Sequence, residues 1–198
     1  MMRRDARGFS LIELMVTITI LFILVTFGIP SFRDFLNNSR IRSAAESIQN
    51  GLREARNEAA QRGTNVRFEL TSGTGASWQV CQLKTTETTC ATPTNIFDKR
   101  DATETNITVS ASTASAKQAS GQLGTALTGG VPAGVTYTAL GRPSSFNANS
   151  IARVDVYGTT TAGRRQVVLV SAGGMTRMCD PVSNTILAST DAQSCGSN

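Results

Sequence analysis

A single carboxylate, Glu13, stands in a run of 21 residues (9–29) that holds no other charge. A lone ionised group in lipid is expensive and calls for a partner. The chemistry open to it is electrostatic: a neighbouring ammonium, held in a dry medium where attraction is strong. The plainer alternative is a charge tolerated near a helix end, reaching the headgroups. The other reactive groups are four cysteines, Cys81, Cys90, Cys179 and Cys195. None falls in a CxxC pair, so zinc or dithiol-exchange chemistry is poorly supported. In an exported chain they read as two disulfides. Proximity pairs Cys81 with Cys90 and Cys179 with Cys195, and the two other connectivities stay open. Loop stapling is favoured over redox switching, because no cysteine has an obvious thiolate-stabilising neighbour. The chain contains no histidine. That excludes histidine acid–base catalysis, Ser-His-Asp and Cys-His nucleophiles, and histidine-ligated metals. No catalytic constellation and no cofactor site is expected.

The elements that must position Glu13 follow from the hydropathy pattern. As a helix, residues 9–29 span roughly the 30 Å of a bilayer's hydrocarbon core. Arg3, Arg4 and Arg7 precede the run, which places the leader in the cytoplasm and sends the rest outward. The run is longer than a signal peptide's apolar region, and no small-x-small cleavage site precedes Pro30. After Pro30, Phe32, Phe35, Ile41, Ala45, Ile48, Leu52, Ala55 and Ala59 recur at three- and four-residue steps and draw one apolar stripe. Glu58 and Arg62 are placed for a helical ion pair, and Gly63 is a natural stop. One long helix is therefore expected from about Phe9 to Arg62, with a bend or weak point at Gly28 and Pro30.

Beyond residue 64 the chain reads as a small antiparallel sheet. Residues 65–70 alternate Val66, Phe68 and Leu70 against Arg67 and Glu69, as a half-buried strand does. Further strands are expected at 77–83, 106–110, 134–140, 151–157, 165–171 and 174–179. Residues 84–130 form a variable region: a Thr-rich loop at 84–95, then a low-complexity excursion at 111–130. The fold class is α+β, with a long N-terminal helix, half transmembrane and half amphipathic, packed on a small antiparallel β-sheet. The expected segments are a leader at 1–8, an assembly helix at 9–30, its amphipathic half at 31–63, and a globular domain at 64–198 closed by a disulfide loop at 179–195.

Gly8-Phe9-Ser10-Leu11-Ile12-Glu13 resembles the processing signal of type IV prepilins and pseudopilins: a short basic leader ending in Gly, an aromatic residue, and Glu at the fifth place after the cut. The resemblance covers the leader, the apolar helix and Pro30. It implies cleavage between Gly8 and Phe9 by a prepilin peptidase on the cytoplasmic face, and methylation of the new amino terminus. It also implies that Glu13 meets the amino terminus of a neighbouring Phe9 in a filament and sets axial register. Arg56-Asn57-Glu58-Ala59, Trp78-Gln79-Val80, Gly141-Arg142 with Phe146, and Gly174-Met175-Thr176-Arg177-Met178-Cys179-Asp180-Pro181 are similar to the FimT/GspH-like branch of minor pilins. The implied function is a structural subunit of a type IV pilus tip or priming complex, in contact with other minor pilins and the major pilin. The subunit would sit in the inner membrane before assembly and on the cell surface afterwards. Two alternatives share the architecture: a GspH-like pseudopilin of type II secretion, and a DNA-binding minor pilin for uptake.

The DNA alternative meets a departure. Family members that bind DNA carry two arginines in the Gly-Arg-x-Arg element, and here Met175 occupies the first place, leaving Arg177. Arg164 and Arg165 on the adjacent hairpin, with Arg142 and Arg153, are the available substitutes, because phosphate contacts need charge more than exact position. The charge argues against them. Beyond residue 130 there are five Arg against three Asp, a net of only +2, and aromatics for base stacking are sparse.

Overall fold

The protein is described here from a computed structural model covering residues 9–84, 87–90, 95–113, 133–146, 150–159, 165–179 and 195, with the backbone alone at 27–31. The leader with Gly8, the side chain of Pro30, Arg164, the stretch 114–130 and residues 180–194 of the C-terminal loop lie outside the described residues.

Helix α1 runs Leu11–Arg62, 52 residues, and is helical through Gly28 and Pro30. The contacts divide the chain into a unit ending at Asn37 and a second beginning at Asn38. In the first unit the helix starts with Leu14 N–H donating to the Ser10 carbonyl at 3.2 Å. In the second unit one face of α1 is buried: Ile41, Ala44, Ala45, Ile48, Leu52, Ala55 and Ala59. The stripe is thus narrower than the sequence suggests, because Phe32 and Phe35 are exposed in the isolated chain. Arg62 pairs with Glu58 and stacks over Phe97 at 4.1 Å. Gly63 ends the helix at φ 64°, the left-handed conformation of a C-terminal cap.

Eight strands follow: β1 Val66–Leu70, β2 Trp78–Gln82, β3 Ile96–Arg100, β4 Ile107–Ser112, β5 Gly134–Tyr137, β6 Arg153–Gly158, β7 Gln166–Val170 and β8 Thr176–Cys179. They form two four-stranded antiparallel sheets, β3-β2-β1-β5 and β4-β6-β7-β8, rather than the single sheet expected. The division follows from β4. Its whole length pairs with β6, from Ile107↔Gly158 to Ser112↔Arg153, so it does not extend the first sheet. The loop 71–77 crosses between the sheets. Gly75 N–H donates to Ile107 and Val109 N–H to Gly73, each at 2.8 Å. Strand β3 falls in the expected variable region. It is an edge strand with two apolar residues beside Asp98, Lys99 and Arg100, so it carries no hydrophobic alternation to read.

One hydrophobic core serves both sheets and the second half of α1. Phe68 and Trp78 meet at 5.8 Å between ring centroids, and the Trp78 indole N–H donates to Ser47 Oγ on the helix at 2.9 Å. Gly51 sets the spacing. A Cβ there would lie 2.8 Å from Phe68 Cε2 and 3.0 Å from the Trp78 ring. A mid-helix glycine costs about 0.5–1 kcal/mol in propensity, so its place reflects the aromatic pair beneath it. Gly51→Val should destabilise the protein by about 1–3 kcal/mol through overpacking, measured by urea unfolding. An unchanged midpoint would mean that the rings move aside freely.

Candidate assembly and docking surfaces

In the first unit every described large apolar side chain from Phe9 to Leu36 is exposed, Phe9 at 78% and Phe22 at 72%. Such a continuous apolar surface marks a contact with lipid or with another chain. Its threonines carry no unmet hydrogen bonds. Thr17 Oγ1 donates to Leu14, Thr19 Oγ1 to Met15 and Thr26 Oγ1 to Phe22, at 2.8–2.9 Å. Helix hydroxyls satisfied in this way are compatible with an apolar medium. Glu13, in the first turn, has no hydrogen-bond or ion-pair partner among the described residues. No helix among the described residues is long and apolar enough to cross a membrane. The uninterrupted described side chains, residues 11–26, give about 24 Å of helix against roughly 30 Å of hydrocarbon.

Two of the cations proposed for a nucleic acid are engaged by a buried carboxylate. Arg153 is buried. It grips Asp155 through both oxygens, Nε to Oδ2 at 2.8 Å and Nη2 to Oδ1 at 2.7 Å. Arg165 Nε lies 3.5 Å from the same Oδ1, beside a carboxylate with no exposure of its own. These two guanidiniums therefore neutralise Asp155, Arg153 from a buried position and Arg165 from a partly exposed one. Arg142 and Arg177 are exposed, and Arg164 lies outside the described residues.

A matching pair occupies the first sheet. Arg67 Nε donates to Glu69 Oε1, Glu69 Oε2 accepts from Gln79 Nε2 at 3.3 Å, and Arg67 Nη1 donates to Thr136 Oγ1 at 3.2 Å. Both side chains are buried. Each sheet thus places an Arg-x-acid pair on an inner strand, opposite the core side of the intervening Phe68 or Val154. The cysteines are joined Cys81–Cys90 and Cys179–Cys195. The Cys90 carbonyl accepts from Gln79 Nε2 at 3.4 Å, on the side of Arg67 and Glu69.

Three separated sequence motifs meet beside the second half of α1. Arg56 Nε donates to the Gly141 carbonyl at 3.2 Å, and its Nη1 contacts Met175 Sδ at 3.4 Å. Gly141 and Gly174 both have positive φ, 70° and 78°. A Cβ on Gly174 would collide with the Gly141 carbonyl oxygen, and one on Gly141 would sit 3.2 Å from Arg56 Nε. The Arg56, Gly141 and Gly174 elements are therefore one structural knot, and their recurrence as sequence motifs has a packing cause. Tyr137 is buried, and its hydroxyl lacks a hydrogen-bond partner among the described residues. Burial raises its pKa far above the usual phenol value, only partly offset by Arg56, which keeps it neutral.

Two concavities flank this part of α1. A groove of about 390 Å³ is lined by Ser43, Glu46, Ser47, Asn50, Gly51, Glu54, Trp78 and Asp98. A smaller pocket of about 220 Å³ is lined by Arg53, Arg56, Asn57, Gly174, Met175 and Thr176. The sequence motifs point to the second through Arg56, Gly174 and Met175. The Trp78 motif reaches the first, but its acidic residues, Glu46, Glu54 and Asp98, carry no motif.

Residues 44–174 match the family model of the type II transport protein GspH, and residues 3–29 match the prokaryotic N-terminal methylation motif. Two crystal structures of the Pseudomonas aeruginosa type IV minor pilin FimU also resemble the chain, each at 17% identity. One gives a TM-score of 0.47 and covers 81% of this chain. The other gives 0.43 and covers 78%. Each likeness spans 98% of the FimU chain.

Proposed function

Because this chain belongs to the GspH family and carries the N-terminal methylation motif, we propose that it is a minor pilin, a structural subunit that promotes pilus assembly from a tip or priming complex. Its leader is removed between Gly8 and Phe9 by a prepilin peptidase, and Phe9 becomes the methylated amino terminus. The apolar helix is held in inner-membrane lipid until assembly. It then packs beside the helices of other minor pilins and the major pilin, and the globular domain faces outward. The observation that carries this reading is the exposed apolar helix from Phe9 to Val25, whose one charged side chain is Glu13. Such a surface calls for sister helices, and such a charge calls for a neighbour's ammonium. The protein has a scaffolding role on this reading and performs no catalysis.

A second reading, a pseudopilin of type II secretion, is favoured by the description of the matching family. Deleting the gene and scoring surface filaments and secreted proteins together separates the two. The minor-pilin reading expects filaments to be lost or sharply reduced with secretion intact. Lost secretion with normal surface filaments establishes the pseudopilin. No change in either overturns both.

A further inference from the structure

The two concavities beside α1 carry opposite charge. Arg53 and Arg56 line the pocket at the β7–β8 hairpin, and Glu46, Glu54 and Asp98 line the groove, where Glu46 is already paired with Arg42 at 2.9 Å and Glu54 and Asp98 carry the acidic character. Adjacent residues mark the division. Arg53 opens onto the pocket and Glu54 onto the groove, and both are exposed. Arg56 is tied into the fold by Gly141 and Met175, so its charge is held in place. Arg53 forms no ion pair with a described residue. Two patches of opposite sign on one domain, the basic one anchored by Arg56, suit a head-to-tail contact, in which the pocket of one copy meets the groove of the next.

We propose that the globular domain binds a second copy of itself in this way, with a groove carboxylate entering the Arg53–Arg56 pocket. The pocket's size suits one side chain rather than a track along a polymer. Arg153 and Arg165, which would extend a phosphate track, are committed to Asp155. Exposed Leu140 and Met175, on the two loops that Arg56 ties together, add apolar contact area that a protein surface matches and a phosphate backbone does not. The contact involves the globular domain alone and is independent of how the N-terminal helix assembles, so it stands or falls separately from the minor-pilin reading.

The test is self-association of the full chain in detergent micelles, followed by sedimentation velocity over a concentration series at low and high salt. The native chain should associate at low salt and weaken as salt screens the contact. Arg53→Glu alone and Glu54→Arg alone should each weaken association about tenfold or more, since each opposes like charges. An equimolar mixture of the two variants should recover native association, because the unaltered pocket of one meets the unaltered groove of the other. A mixture no better than either variant overturns the proposal. So does a native chain that stays monomeric throughout. Loss of duplex-DNA binding in Arg53→Glu with unchanged self-association also overturns it, and assigns the pocket to nucleic acid.

Discussion

Replacing Asp155 with alanine is expected to destabilise the protein by about 3–5 kcal/mol, the range for breaking a buried ion pair by removing one partner. The side chain is fully buried and holds Arg153 by two hydrogen bonds of 2.7 and 2.8 Å, with Arg165 at 3.5 Å. Alanine leaves the Arg153 guanidinium, itself buried, without its counter-ion on an inner strand of the second sheet. Domains of this size are stable by about 5–15 kcal/mol in all, so the loss is a large fraction of the total. Urea unfolding with the disulfides intact measures it. The double replacement Arg153→Met with Asp155→Leu removes both charges and should be far milder, since apolar substitutes for a buried pair are often neutral. If Asp155→Ala costs under about 1 kcal/mol, the pair is solvated in solution and its burial has been overstated.

This pair also shows where sequence reasoning stops. The alternation at residues 66–70 correctly puts Phe68 on one face and Arg67 and Glu69 on the other. The same pattern recurs at Arg153-Val154-Asp155. Period two identifies which residues share a face, but it does not say whether that face is wet. On the inner strands β1 and β6 the second face is covered, and the charges there are paired inside the protein. The sequence therefore offers Arg153 and Arg165 as surface cations, while the structure buries Arg153 and sets Arg165 against Asp155. Strand β3 escaped notice because an edge strand needs only backbone pairing on one side, and Asp98, Lys99 and Arg100 gave no apolar period. The division into two sheets was equally hidden, because the choice of partner for β4 depends on pairings 41 to 51 residues apart in sequence. The long helix and its glycine stop were legible, since both depend on neighbours within a turn or two. Arg56, Gly141 and Gly174 were visible only as recurring motif residues, and three-dimensional contact supplied their common cause.

The charge at Glu13 was legible for a simple reason: residues 9–29 hold no other charged side chain to pair with it. The threonines of the same stretch satisfy themselves on carbonyls three or four residues back. Glu13 stands in the first turn, where the helix dipole favours a carboxylate, yet none of the described residues pairs with it. On the minor-pilin reading proposed above, the amino terminus of an adjacent Phe9 would supply the missing charge, and low polarity would strengthen the attraction. Glutamine at this position would preserve size and hydrogen-bonding groups while removing the charge. Aspartate would keep the charge on a shorter arm. The order of incorporation expected is therefore native, then aspartate, then glutamine and alanine together.

The decisive measurement compares cells carrying the native chain with cells carrying Glu13→Ala, at matched membrane levels. The quantity read is the amount of this chain in surface filaments sheared from the cells. Incorporation of the alanine variant should fall at least about tenfold, which requires a difference of only ~1.4 kcal/mol, while its membrane pool persists. Equal recovery of the two chains in the filaments would contradict the claim that Glu13 pairs with a neighbouring subunit.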